Sequence, residues 1–260
     1  MTTGQLQQDL PISAPARNAL SKVPEVTVYF WIIKLLTTGM GETLSDYLAH
    51  ILDPMIAVCL AGAALLVMIV VQFTVRRYVA WIYWTTIVMV SVFGTMAADV
   101  LHVGLGVPYV ESAPAFLVIL AAILCLWYAS EKTLSIHSIR TRRREGFYWA
   151  TVLATFALGT AAGDMTAGTL GLGYVGSIVL FAVAMAVPAL GHWKLGLGAI
   201  PAFWFAYIVT RPLGASVADW MATSTAHGGL GLGTGPVSLY WLIAILGFVG
   251  YVAATRKDVA

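Results

Sequence analysis

Trp84–Asp99 reads WTTIVMVSVFGTMAAD, and its spacing occurs four times in the chain. Trp31–Asp46 is WIIKLLTTGMGETLSD, Trp149–Asp164 is WATVLATFALGTAAGD, and Trp204–Asp219 is WFAYIVTRPLGASVAD. In each copy a glycine stands ten residues after the tryptophan: Gly41, Gly94, Gly159 and Gly214. An aspartate follows five residues later: Asp46, Asp99, Asp164 and Asp219. The residue before it is small: Ser45, Ala98, Gly163 and Ala218. The chain holds nine tryptophans and seven aspartates, so four ungapped coincidences define an internal repeat. Gly-Leu-Gly follows in three copies, at Gly104–Gly106, Gly171–Gly173 and Gly231–Gly233, whereas the first copy has Asp53-Pro54. These glycines are expected in turns, since they follow a helix rather than a nucleotide-binding strand.

Around each block the sequence is apolar. Of 260 residues, 60% are hydrophobic and 10% are charged. A soluble domain carries about 25% charged residues. A cytosolic enzyme, a disordered protein and a nucleic-acid binder are excluded, and the net charge of +2 favours no acidic partner. Eight segments are long enough to span a bilayer at roughly 20 residues each: about 26–48, 55–73, 79–102, 113–129, 147–167, 174–191, 199–221 and 236–254. The fold expected is an all-α membrane protein, with eight transmembrane helices built from four parallel two-helix repeats. The repeats cover about 24–75, 76–130, 146–192 and 195–254 of one domain, 23–254. Residues 1–22 read as a disordered cytoplasmic tail, and 255–260 as a second tail. An even number of spans per unit gives all units one orientation, related by an axis along the membrane normal.

Basic residues set that orientation, because short Lys/Arg-rich loops stay cytoplasmic. Twelve of the 14 basic residues fall in the tails and in the loops after even-numbered segments, and the opposite loops have none. Both termini are therefore expected in the cytoplasm.

With Trp31, Trp84, Trp149 and Trp204 as markers, residues 24–254 resemble bacterial integral membrane proteins made of four tandem two-helix repeats of unknown function, each marked by a tryptophan. The resemblance implies the fold and a place in the bacterial inner membrane. It implies no activity, cofactor or catalytic residue.

The glycines and the small residues four positions on form small-xxx-small faces, which let helices approach closely in lipid. The aspartates lie about 22 Å beyond the tryptophans along each helix. An ionisable residue inside a spanning helix costs roughly 2.5–3.5 kcal/mol. The helices hold Glu42, Asp46, Asp99, Asp164 and Asp219 against only Lys34 and Arg211. Burying that surplus requires protons or a recruited cation. Two readings of the aspartates stay open: they cap loop backbone, or they line a cation or proton path. Arg211 lies near mid-membrane and is expected to pair with Glu42 or with an aspartate of a neighbouring unit. Lys34 either stays in the bundle or snorkels to the cytoplasm. Asp46, His50, Asp99 and His102 have carboxylate and imidazole at helical spacing, which suits a divalent metal. The competing reading is solvated interface histidines. Cys59 and Cys125 read as small core residues.

A retinal protein needs a lysine in a late helix, and the only intramembrane lysine is in the first. A haem bundle needs facing internal histidines, and an intramembrane protease needs a catalytic pair rather than four equivalent acids. The expectation is a non-enzyme without cofactor or nucleotide. Its partners are lipid and a small cation or proton, and self-association is left open. Functionally it reads as a proton-coupled secondary transporter moving a cation, a divalent metal among the options, with its site between the first and seventh helices at Glu42, Asp46, Arg211 and Asp219. The alternative is a scaffold or accessory subunit whose buried charges are structural.

Overall fold

The computed structural model describes residues 21–259 and contains eight long helices and no strand among them. They are α1 (Val28–Ile51), α2 (Pro54–Thr74), α3 (Ala80–Asp99), α4 (Tyr109–Glu131), α5 (Arg142–Asp164), α6 (Gly173–Leu195), α7 (Ala199–Ala222) and α8 (Thr234–Thr255). Local chemistry sets several ends. Thr27 caps α1 by accepting from Phe30 N, and Asp53 caps α2 through Met55 N and Ile56 N, with Pro54 at the first helical position. Directly after Asp99 and Asp164, α3 and α5 widen into single π-helical turns, Val100–Gly104 and Met165–Thr169. Gly106, Gly171, Gly173, Gly231 and Gly233 have positive φ, as the Gly-Leu-Gly turns require.

The eight helices form two rings. The signature helices α1, α3, α5 and α7 pack in a closed inner ring, each against the next and α7 against α1. The even helices lie outside. Each packs chiefly on the signature helix of the following unit: α2 on α3, α4 on α5, α6 on α7, and α8 back on α1. Within the first repeat, α1 and α2 touch only lightly. The units are therefore shingled, and α8 on α1 closes the circle.

Burial is inverted relative to a soluble protein. Lys34, Thr37, Thr38, Glu42, Thr95, Thr160 and Arg211 are buried on the inner helices, while Leu66, Val67, Val118, Val179 and Val183 on the outer ones are exposed. An apolar exterior around a polar interior suits lipid as solvent. Five helices, α2, α3 with its π turn, α4, α6 and α8, are long and apolar enough to cross a membrane. Of the other three, α1 and α7 carry Lys34, Glu42, Asp46, Arg211 and Asp219, and α5 opens with Arg142, Arg143, Arg144 and Glu145. Cys59 and Cys125 are exposed on α2 and α4 rather than in the core. The even helices turn most of their surface outward, so a small apolar residue there has no core to enter.

The repeated glycines make the inner ring possible. A Cβ on Gly41 would lie 1.7 Å from Ser91 Oγ, on Gly94 2.8 Å from Phe156 Cβ, on Gly159 2.1 Å from Arg211 Cγ, and on Gly214 1.8 Å from Thr38 Oγ1. Every contact is with the residue seven positions after the next helix's tryptophan. Gly214→Ala should therefore destabilise by about 1–3 kcal/mol through overpacking. Gly247→Ala, where a Cβ meets nothing within 4 Å, should change little. Thermal unfolding of both variants in one detergent tests this, and equal melting temperatures would refute the packing.

Most of the expected tail, residues 1–20, lies outside the described residues. Its last two are not free. Ser21 and Lys22 are buried, Lys22 N donates to Ile139 O at 3.2 Å, and Lys22 Nζ lies 2.5 Å from Glu145 Oε2.

Candidate functional site: an acidic cavity on four helices

The repeat spacing stacks the inner ring into layers, best followed from the tryptophans. An aromatic residue precedes each one: Phe30, Tyr83, Tyr148 and Phe203. Each is edge-on to its own tryptophan, with centroids 5.2, 5.0, 5.2 and 5.2 Å apart. Each also reaches a tryptophan of a neighbouring inner helix: Phe30 to Trp84 at 5.7 Å, Tyr83 to Trp149 at 5.8 Å, Tyr148 to Trp204 at 6.4 Å, and Phe203 to Trp31 at 5.8 Å. The Tyr83 and Tyr148 hydroxyls are hydrogen-bonded to each other. This cyclic cluster of eight rings fills one end of the bundle. The tryptophans stand out in the sequence as markers, and aligning the four repeats on them also displays their aromatic predecessors.

One turn deeper sits Lys34, aligned with Ile87, Val152 and Tyr207. It is fully buried, with Nζ 4.1 Å from the Phe156 ring centroid and 4.3 Å from that of Tyr207, and it has no hydrogen-bond partner among the described residues. It does not snorkel: the aromatic ring lies between it and the nearer end, and the faces of two arenes take the place of water.

Arg211 comes next and is also fully buried. Its Nη2 donates to the Glu42 carboxylate, to Thr95 Oγ1, and to Thr160 Oγ1 at 2.6 Å. Glu42, Thr95 and Thr160 are equivalent positions, each 11 residues after its tryptophan, and the fourth equivalent is Ala215 on the arginine's own helix. One side chain of unit 4 thus ties together units 1, 2 and 3. The expected pairing of Arg211 with Glu42 is present. The two threonine acceptors carry no charge, and no charge-pairing argument from sequence points to them.

Beyond this layer a cavity of about 550 Å³ opens. Glu42 is the deepest inner-helix residue lining it, and Asp46, Asp99, Asp164 and Asp219 all face it. The four aspartates are half-buried, and none forms an ion pair among the described residues. Glu42, Asp164 and Asp219 each offer one carboxylate oxygen, and these atoms lie within 4.8 Å of one another. Like charges this close in a low dielectric need protons or a cation among them. Oxygen-only donors suit protons and hard cations rather than soft metals.

The cavity therefore belongs to all four inner helices and not only to α1 and α7. Of the histidines, His50 lines the cavity, with Nδ1 2.6 Å from Asp46 O. His102 does not line it. Its Nδ1 lies 2.9 Å from Val107 O, its Nε2 lies 3.2 Å from Ser112 Oγ, and its ring packs 4.0 Å from that of Tyr109. Both ring nitrogens are spent, Nδ1 on the loop after α3 and Nε2 on Ser112 of α4, so the i, i+3 spacing from Asp99 builds no joint ligand pair.

A family model described as Repeat of Unknown Function (DUF347) matches the chain four times in tandem, over residues 29–78, 82–133, 147–196 and 202–258. No curated protein and no solved structure is significantly similar to it.

Proposed function

Because the chain belongs to the Repeat of Unknown Function (DUF347) family, whose description assigns no activity, we propose its function from the cavity: a gradient-driven, proton-coupled secondary transporter that moves a cation. The observation that carries this reading is the convergence of five carboxylates from four helices on one cavity, with only Glu42 ion-paired among the described residues. Protons and cations would compete for the same oxygens, which is the chemistry of coupling. A divalent cation suits the Glu42, Asp164 and Asp219 oxygens because one ion could bridge carboxylates from three helices. The reading calls for no enzymatic step and no cofactor.

The family resemblance suggests the bacterial inner membrane, and the basic loops support both termini in the cytoplasm. In that orientation the cavity faces outward and the aromatic ring closes the cytoplasmic end. Reporter fusions after Ala222 and after Lys257 should land on opposite sides of the membrane, and finding both on one side would end this assignment.

The transport test is flux into proteoliposomes under an imposed pH gradient, with protons, monovalent and divalent cations each assayed against protein-free vesicles. One observation favours the alternative of a scaffold or accessory subunit: Arg211 is bonded to three other helices, as a structural tie would be. Background flux for every ion would select that alternative.

A further inference from the structure

A second large cavity lies at the tryptophan end of the molecule, away from the acidic one. It measures about 600 Å³ and forms where the loop before α3, the end of α8 and the chain leading into α1 meet. Four charged side chains line it: Arg77 and Arg256, Glu25 and Asp258. The two arginines make no ion pair among the described residues. Asp258 is fixed through Tyr78, whose hydroxyl donates to Oδ2 at 2.5 Å.

The same cavity includes Trp81 and Val252, and from there a groove continues along the helices. Its volume is about 200 Å³, and it runs past Trp81, Thr85 and Met89 on α3 and past Val249, Leu246 and Leu242 on α8. From Trp81 to Met89 is about 12 Å of helix. The groove exists because α8 packs on α1 and touches α3 only lightly. Trp81 is 44% exposed at its mouth. The equivalent positions, three residues before each marker tryptophan, are Val28, Gly146 and Pro201. Of these four equivalent positions only this one is a tryptophan, and Arg77 and Arg256 line the cavity beside it.

We propose that the α3–α8 crevice binds one phospholipid of the phosphatidylethanolamine class. The phosphodiester fits between Arg77 and Arg256, the primary ammonium faces Glu25 and Asp258, and an acyl chain follows the apolar groove past Trp81. Equal numbers of opposite charges match a zwitterion: Glu25 already lies 3.4 Å from His137 Nε2, but Asp258 has no ion pair among the described residues and would be left without a counter-charge by an anionic headgroup. A headgroup that donates N–H bonds also fits carboxylates better than a quaternary ammonium. This inference rests on the membrane setting and not on the transport reading.

The test is native mass spectrometry of the full chain released from detergent, after incubation with phosphatidylethanolamine, phosphatidylcholine or phosphatidylglycerol of matched acyl chains. One retained phosphatidylethanolamine per chain is expected, with about tenfold less of the other two. The R77A/R256A double variant should lose that retention about tenfold. Should the double variant fail to fold, Trp81→Ala, which leaves all four headgroup charges in place, should still lower retention. Equal retention of the three lipids, preference for phosphatidylglycerol, or undiminished retention by the folded variants would overturn the proposal.

Discussion

Arg211→Met should be among the most damaging single substitutions in the inner ring, costing about 3–5 kcal/mol, the usual loss when one partner of a buried ion pair is removed. The change strands the Glu42 carboxylate, only 4% exposed, and deprives Thr95 and Thr160 of their shared donor. The arginine stem also fills the space opposite Gly159. A thioether of similar length retains much of that packing, so the loss reports mainly on charge. The diagnostic partner is E42L on the same background. Replacing a whole buried pair by apolar groups is often neutral, so the double variant should recover a large part of the lost stability. Thermal unfolding of the single and double variants in the same detergent measures both effects. A single variant as stable as wild type, or a double variant no better than the single, would show that the Arg211 layer does not hold the four units together.

Asp46→Asn is expected to bring ion flux in proteoliposomes down to the background of protein-free vesicles while leaving the fold intact. The amide keeps the shape of the carboxylate, and at a half-buried site without an ion pair its stability cost should stay within about 0.5 kcal/mol. Asp164→Asn and Asp219→Asn should do the same, with the largest effect on divalent cations, because their oxygens and that of Glu42 lie within 4.8 Å of one another. Intact unfolding behaviour with lost flux separates an ion pathway from a structural role. Wild-type flux in all three variants, for protons and for both classes of cation, would move the balance to the scaffold reading. His102→Ala serves as the contrast, since His102 is bonded to Val107 of the loop and Ser112 of α4 and does not line the cavity. It should leave flux unchanged.

The division between what was legible in the sequence and what was not follows from the reach of local rules. Apolar length and the repeat of tryptophan, glycine and aspartate determined eight helices in four parallel units and a common layer of acids. These are properties of position along a single helix, where 1.5 Å per residue converts spacing into depth. Small residues at four-residue spacing likewise announced close helix contacts, and the glycines are where those contacts occur. Spacing along a helix does not say which neighbour it meets, and ring closure is a property of the whole chain. Only the tertiary structure decided that each outer helix shingles onto the next unit, that α8 returns to α1, and that Arg211 reaches equivalent positions on three other units. The same reason explains Lys34 and His102. Sequence left the one between bundle and solvent, and the other between solvent and a metal. The aromatic rings of Phe156 and Tyr207 and the backbone of the loop after α3 were nearer, and a buried polar group is satisfied by whatever the fold places beside it.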